Sequence, residues 1–277
     1  MSVLNATDRA FWEENGYVIV RNAVPKENCD AVIDAIWEFL EMDRNNPETW
    51  YRKPAWHSRA GMVEMYHHQS MWDNRQNPRL YEAFCEILGT EKLWVSLDRV
   101  NMNPPARPDW DHLGFIHWDV DPTVQPLPLR VQGVLCLADT SADQGGFQCI
   151  PGAHRHIPEI LAAQAPGANL HNPDIGERQV QPIAANAGDL VIWHVGLLHG
   201  NGRNRTDRPR LAQYITMSPA NEEDETQRQR RIELWQNRLP PDYKRAFPGD
   251  PRQLEEKFGK TAALTALGKK LVGVEKW

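Results

Sequence analysis

The middle of the chain is broken into many short, strand-like apolar segments, and this pattern restricts the possible folds more than any other feature. The segments alternate polar and apolar residues or are rich in β-branched residues, and turn residues separate them. Short strands at this spacing predict a β-sandwich or jelly roll rather than a parallel βαβ sheet. The predicted strands cover residues 93–103, 114–120, 129–137, 147–150, 179–183, 189–193 and 211–217.

Helical patterns precede this region. Thr7 is expected to cap a first helix that ends at Gly16, and the β-branched run 17–20 predicts a strand. An apolar stripe with i, i+3/i+4 spacing begins at Pro25, and a further helix is predicted over 78–88.

The remaining segments complete the expected domain plan. Residues 50–72 are rich in Trp, Tyr, Met and His without a clear period, which indicates an irregular or lid-like segment, and 222–237 predicts a solvated helix. We therefore expect a single domain over residues 1–277 that is mainly β with flanking helices. Its parts are a helical N-terminal support and lid at about 1–92, a jelly-roll core at about 93–219 and a helical C-terminal extension at about 220–277.

Charge and composition exclude several classes of partner. With 31 Lys and Arg against 37 Asp and Glu, the formal net charge is −6, which disfavours a nucleic-acid binder. No apolar run approaches the ~18 residues of a membrane span, and no signal peptide is visible. The four cysteines form no C-x-x-C pair, which argues against a zinc ribbon or a disulfide framework and is consistent with a cytoplasmic protein. No feature indicates an oligomeric state.

The tripeptide His117-Trp118-Asp119 is the sharpest chemical signal. In a strand, residues i and i+2 share a face, so the imidazole and the carboxylate can converge on one ion. His199, near the end of a predicted strand, is the candidate third ligand. Two histidines and one carboxylate form the facial triad of non-haem Fe(II) oxygenases. The alternative is that H-x-D occurs by chance and that each histidine is a packed or surface residue.

Arg210 opens the predicted strand that follows His199. Its planar guanidinium can bind a dicarboxylate tail with two parallel hydrogen bonds at the floor of a barrel. The alternative is a surface cation, as we expect for the neighbouring arginines Arg203, Arg205 and Arg208.

Together these residues resemble the phytanoyl-CoA dioxygenase-like (PhyH) branch of the Fe(II)/2-oxoglutarate-dependent oxygenases, and the similarity covers most of the chain. The ordered motifs that carry it are the segment Phe11-Trp-Glu-Glu-Asn-Gly-Tyr-Val-Ile-Val20, His117-x-Asp119, Gly145-Gly146, Pro151-Gly-Ala-His154, Gly188-Asp189, Trp193, His199-Gly200, Asn204 and Pro209-Arg210.

The resemblance implies a double-stranded β-helix, or jelly roll, of the cupin-like class. It implies Fe(II) held by His117, Asp119 and His199, with 2-oxoglutarate and O₂ as co-substrates and Arg210 on the distal carboxylate of 2-oxoglutarate. Further candidates are 2-oxoglutarate contacts at Gln132, Asn201, Thr206 and Asn101, and residues behind the ligands at His154 and Trp193. Gln132 can equally be a structural amide, and His154 a structural histidine.

The implied reaction is hydroxylation of an unactivated C–H bond in a small organic metabolite, with release of succinate and CO₂. The retained carboxylate of Asp119 argues against halogenation, in which a small residue vacates the site for halide. The alternative function is a non-oxygenase cupin-like metal-binding protein or isomerase. Arg210 separates the two, because only the oxygenase requires a dicarboxylate anchor.

We expect the substrate to be recognised by the 50–72 segment, where mixed aromatics and cations can hold a small organic anion by stacking and charge pairing. The alternative is that these aromatics form a satellite core under an irregular loop. No basic cluster is suited to the phosphates of coenzyme A, so a free metabolite is favoured over an acyl-CoA. The candidate substrate residues are Trp50, Trp56, His57 and Arg59.

Overall fold

The computed structural model of the chain describes residues 2–124 and 126–277. Helices lie at both ends of the chain, and most of the strands lie between them. The helices are α1 (Ala6–Asn15), α2 (Lys26–Leu40), α3 (Gln69–Arg75), α4 (Pro78–Leu88), α5 (Ile157–Ala162), α6 (Glu225–Asn237), α7 (Leu254–Phe258) and α8 (Ala266–Val272). The strands are β1 (Tyr17–Val20), β2 (Met62–Val63), β3 (Leu93–Val95), β4 (Val100–Asn103), β5 (Val131–Cys136), β6 (Phe147–Cys149), β7 (Gln181–Pro182), β8 (Leu190–His194), β9 (His199–Asn201), β10 (Arg210–Tyr214) and β11 (Met217–Pro219).

The larger sheet has six strands in the order β1-β8-β5-β10-β4-β2, and every neighbouring pair is antiparallel. Its register places Gln132 opposite Trp193 and Arg210 opposite Asn103. Because directly opposed residues share a face, these four side chains belong to the same side of the sheet.

A smaller sheet, in the order β7-β6-β9, faces this side. An isolated bridge between His117 and His199 adds the H-x-D segment beside β9. Side chains of both sheets pack in one cluster, including Val134 and Trp193 from the larger sheet and Phe147 from the smaller one. The two facing antiparallel sheets form the predicted jelly roll, a double-stranded β-helix with a cupin-like core.

The opposite side of the larger sheet is covered by helices. Ile36 and Leu40 of α2 belong to the same buried cluster as Leu135 and Ile192 of the sheet. Burying the apolar side of an antiparallel sheet under amphipathic helices removes it from water and leaves the inner side for the site. Within the described residues, no helix combines the length and the apolar character that a bilayer crossing would require.

The first helix is capped two residues earlier than predicted. Asn5, not Thr7, is the capping residue: its side chain accepts from the amide of Asp8 at 3.0 Å, and the Asp8 carboxylate accepts from the amide of Asn5 at 2.9 Å. This reciprocal capping box satisfies two amide donors that the helix itself cannot. The predicted end at Gly16 is confirmed, with φ at +75°.

Several predicted strands are shorter than expected. Residues 93–103 divide into β3 and β4 because 96–99 are irregular, and 211–217 divides into β10 and β11. The predicted strand 114–120 is wrong apart from the single bridge at His117. The helix over 78–88 is confirmed as α4, and the 50–72 segment contains a 3₁₀ turn, β2 and the start of α3.

The packing of helices on the sheet predicts a large cost for truncating Leu135, which is fully buried. We expect Leu135→Ala to lower the free energy of unfolding by about 2–5 kcal/mol, since it removes buried methyl groups and leaves a cavity. Leu113, 73% exposed, is the matched control, and Leu113→Ala should change stability by less than about 0.5 kcal/mol. Equal urea midpoints for the two variants would contradict the assignment of the core.

Candidate metal centre and its cavity

Backbone pairing brings the two halves of the site together. The amide of His117 donates to the carbonyl of His199 at 2.9 Å, and the amide of His199 donates to the carbonyl of His117 at 3.2 Å. Gly200 permits this approach, because a Cβ at that position would lie 1.9 Å from the carbonyl oxygen of Phe115. Trp118 is fully buried, and its indole donates to the carbonyl of Gly196 at 2.9 Å.

The side chains of His117, Asp119 and His199 converge, with their ligand atoms all within 4.8 Å of one another. The Nε2 atom of His117 lies 3.2 Å from Oδ1 of Asp119, and that of His199 lies 3.5 Å from Oδ2. Among the described residues, this is the one group of three or more His, Cys, Asp or Glu side chains placed to hold a metal ion. The arrangement predicted from the H-x-D spacing is therefore present as a cluster.

The protonation pattern of the cluster suits metal binding. The Nδ1 atom of His199 lies 3.0 Å from the carbonyl of Leu197, which can only accept, so Nδ1 carries the proton and Nε2 keeps its lone pair. Burial acts to raise the pKa of Asp119, but the two imidazole rings beside the carboxylate outweigh burial and hold that pKa well below its ordinary range. The carboxylate is therefore ionised.

Two further side chains orient the carboxylate. The amide of Gln132 donates to Oδ2 of Asp119 at 2.8 Å, and the indole of Trp193 donates to the carbonyl oxygen of Gln132 at 3.0 Å. The indole has only a donor, so it fixes which end of the Gln132 amide faces Asp119. Trp193 also packs against His199, with ring centroids 5.1 Å apart.

A cavity of about 400 Å³ opens at the cluster. All three candidate ligands line it, together with Gln132 and Trp193. Its apolar walls come from both sheets and from the loops. The principal apolar side chains are Phe115, Val134, Phe147 and Phe247.

Arg210 is 1% exposed and lies behind Tyr214. Its Nη1 donates to the Tyr214 hydroxyl at 3.3 Å, and the Asn201 amide donates to the same oxygen at 2.9 Å. Tyr214 and Asn201 line the cavity, whereas Arg210 itself does not. The hydroxyl oxygen accepts from two donors, and its own O–H has no acceptor among the described residues.

Other candidates lie away from the cavity lining. The Asn101 amide donates to the carbonyl of Ala60 at 2.9 Å, and the Thr206 hydroxyl bonds to Asn204 at 2.8 Å within the β9–β10 loop. His154 packs against His194, with ring centroids 5.4 Å apart, and burial lowers its pKa to about 4. These contacts suit structural roles.

The four candidate substrate residues also lie outside the lining. Trp50 is buried against Trp37, and its indole donates to the carbonyl of Asp43 at 2.9 Å. Trp56 packs under the Arg252 guanidinium, and Arg59 is exposed. His57 is buried at 2.7 Å from the carbonyl of Met102, and burial lowers its pKa to about 4. From the 50–72 segment, the cavity is lined by Ala60 and Met62.

Several cavity residues have no clear sequence signal. Tyr214 could have been found by strand parity, since it shares the inner face with Arg210. Asp98 and Arg99 lie in the irregular stretch before β4, where no period applies, and Phe247 comes from the C-terminal extension.

A sequence profile described as phytanoyl-CoA dioxygenase (PhyH) matches residues 12–212, which is more than half of the chain. The chain belongs to the phytanoyl-CoA dioxygenase family. Members of this family are Fe(II)- and 2-oxoglutarate-dependent enzymes, and the His117, Asp119 and His199 cluster lies within the matched residues.

Individual relatives agree with this assignment. A Dictyostelium discoideum protein described as a phytanoyl-CoA dioxygenase is 25% identical over 260 residues, covering 76% of this chain and 74% of its own. A 2-aminoethylphosphonate dioxygenase from uncultured bacterium HF130_AEPn_1 is 21% identical and covers 97% of this chain and 98% of its own. The solved structure of the epimerase SnoN, in complex with Fe³⁺, α-ketoglutarate and nogalamycin RO, is 18% identical with a TM-score of 0.58, covering 77% of this chain and 83% of its own. That structure shares the fold.

The contact between Gln132 and Asp119 predicts an effect on metal affinity. We expect Gln132→Leu to weaken Fe(II) or Mn(II) binding by about 10–100-fold, because the carboxylate loses the donor that orients it. Gln179, which is exposed, gives the matched control Gln179→Leu. Calorimetric titration under anaerobic conditions measures both, and unchanged affinity in Gln132→Leu would remove this residue from the ligand support.

Proposed function

We propose that this protein is an Fe(II)- and 2-oxoglutarate-dependent dioxygenase that hydroxylates an unactivated C–H bond of a small metabolite in the cytoplasm. The observation that carries the proposal is the convergence of His117, Asp119 and His199 on one cavity. Membership of the phytanoyl-CoA dioxygenase family supports the same enzyme class.

The donor set fits Fe(II). Two imidazole nitrogens and one carboxylate oxygen are the ligands of the 2-His-1-carboxylate triad, which leaves coordination positions open for other molecules. The cluster borders the cavity, so those positions would be accessible to a co-substrate. Of its three side chains, Asp119 has the largest exposed fraction, 39%.

The surroundings of Arg210 fit the distal carboxylate of 2-oxoglutarate. The Nε atom of this buried guanidinium has no acceptor among the described residues, and its Nη1 reaches a neutral phenol. A buried cation without a carboxylate partner favours an anion nearby. Arg210, with the free O–H of Tyr214, therefore forms the proposed anchor, and Asn201 holds the tyrosine in place.

Bound Fe(II), with 2-oxoglutarate consumed to succinate and CO₂, would supply the activation of O₂ that oxidises a C–H bond. The chain itself holds the metal ligands in position and excludes water from the cavity. Gln132 and Trp193 fix the Asp119 carboxylate, and Phe115 and Phe147 line the cavity with apolar surface. Because Asp119 is retained, we propose hydroxylation rather than halogenation.

The comparisons include enzymes with different chemical outcomes. One relative is named for oxygenation of 2-aminoethylphosphonate, and SnoN is an epimerase. The competing function is a cupin-like metal-binding protein or isomerase that uses no 2-oxoglutarate. The buried guanidinium of Arg210, whose Nε has no acceptor among the described residues, favours the 2-oxoglutarate-dependent enzyme over it.

A direct test is formation of succinate. The anaerobically purified protein receives Fe(II), 2-oxoglutarate and O₂, alone and with a panel of small metabolites. We expect slow succinate formation without substrate, faster formation with the right one, and none with His199→Ala, because the metal loses a ligand. A wild-type protein as inert as His199→Ala under every condition would contradict the proposal.

The anchor is tested separately by 2-oxoglutarate binding. We expect Arg210→Ala to weaken the binding of 2-oxoglutarate by roughly thirty-fold or more, since the substitution removes one partner of a buried charge pair. Metal binding should be unchanged. Arg205 is exposed, so Arg205→Ala is the matched control and should bind normally. Equal 2-oxoglutarate affinity in the two variants, measured by calorimetry with Mn(II), would exclude Arg210 from the anchor.

A further inference from the structure

A second polar centre lines the same cavity, and the proposed chemistry does not use it. Asp98 and Arg99 both belong to the cavity wall although they are adjacent in sequence. In a regular strand their side chains would point to opposite faces. The stretch 96–99 is irregular, which allows both side chains to share the wall.

Arg99 keeps unused donors. Its Nη1 donates to Glu64 at 2.7 Å, and its Nη2 has no hydrogen-bond partner among the described residues; the Nε atom is itself buried and lies 3.9 Å from Oδ1 of Asp98, beyond hydrogen-bond reach. The guanidinium also lies over the ring of Phe247, 4.4 Å from its centroid. Both oxygens of Glu64 are already engaged, because Oε1 accepts from Arg99 and Oε2 accepts from the Tyr66 hydroxyl and from the amide of Gly249.

Asp98 keeps an unused acceptor. Its Oδ1 accepts from the amide of Arg99 at 2.7 Å, while Oδ2 has no donor among the described residues, and 27% of the side chain remains exposed. Burial raises the pKa of Asp98 against the opposing charges of Arg99 and Arg75. A cationic group at Oδ2 would therefore stabilise its ionised form.

The opposite charges limit what can bind between them. A simple anion at Arg99 would meet the carboxylate of Asp98, and a simple cation at Asp98 would meet the guanidinium. A molecule that carries both charges pairs with each. The cavity of about 400 Å³ must also accept 2-oxoglutarate, so the molecule is small.

We propose that the substrate is a small zwitterion whose amino group binds Asp98 and whose carboxylate or phosphonate binds Arg99. This assignment rests on the proposed function of the cavity and names the substrate class. It replaces the expectation that the 50–72 segment holds a plain anion, because Arg99 is the one arginine or lysine that the described residues contribute to the cavity wall. Phe247, over the guanidinium, and Phe115 give the carbon skeleton apolar neighbours.

The test measures binding to the whole chain loaded anaerobically with Mn(II) and 2-oxoglutarate. Matched sets are built on α-amino acids, ω-amino acids and aminoalkyl phosphonates. Each set contains the zwitterion, the acid without its amino group, the amine without its acid and a neutral amide. We expect calorimetry to find at least one set in which the zwitterion binds about tenfold or more tightly than the others, as two charge-assisted hydrogen bonds require.

Two conservative variants test which residue binds each charged group of the substrate, and both keep a side chain of similar size. Asp98→Asn should lower the affinity for the zwitterion to that for the acid without an amino group. The affinity for that acid should be the same in the variant and in the wild-type protein. Arg99→Lys keeps the charge opposite Glu64 and should weaken both anionic members of the set about equally. Wild-type melting temperature and 2-oxoglutarate affinity in both variants serve as the folding control.

The proposal is overturned if no zwitterion in any set binds more tightly than its neutral or singly charged counterparts, including the case in which nothing binds. It is also overturned if Asp98→Asn leaves the preference intact. Substrate-free succinate formation by the wild-type protein separates this outcome from failure of the dioxygenase function, because it is measured without any substrate bound.

Discussion

The reciprocal pair of backbone hydrogen bonds between His117 and His199 is the constraint on which the site depends. It joins an otherwise irregular segment to β9 and so places ligands from distant parts of the chain on one point. Gly200 is required beside it, since a side chain there would collide with the backbone of Phe115. This single backbone pairing therefore determines the geometry of the candidate metal centre.

Polar side-chain atoms that lack a hydrogen-bond partner among the described residues explain how the rest of the cavity is organised. Among the described residues, Arg210 is buried without a carboxylate partner, and the O–H of Tyr214 beside it has no acceptor. Arg99 and Asp98 each keep an unused hydrogen-bonding atom on another wall. Burial of such groups is unfavourable unless they are satisfied, and on this basis we propose ligand groups of complementary charge beside them.

Local signals predicted part of this structure well. Helix α4 has the predicted bounds because Pro78 starts the helix and Gly89 ends it, and both effects are local. The jelly roll was predicted from the short strands and the turn residues between them. The segment before Asp119 was predicted as a strand, yet its one β-bridge among the described residues is with the distant His199. Trp50 and His57 were placed at the substrate because composition cannot distinguish a packed aromatic cluster from a cavity wall. Asp98 and Arg99 were not predicted to line the cavity, because they lie in irregular backbone to which no strand or helix period applies.

The central claim is that the three ligands bind Fe(II) and leave room for 2-oxoglutarate to chelate it. Visible absorption under anaerobic conditions tests this most directly, since an Fe(II)–2-oxoacid chelate absorbs by charge transfer from metal to ligand. The account predicts a visible band when 2-oxoglutarate is added to the Fe(II)-loaded protein, and none for His199→Ala. A wild-type protein that binds Fe(II) but develops no band, at 2-oxoglutarate concentrations far above those of cells, would contradict it.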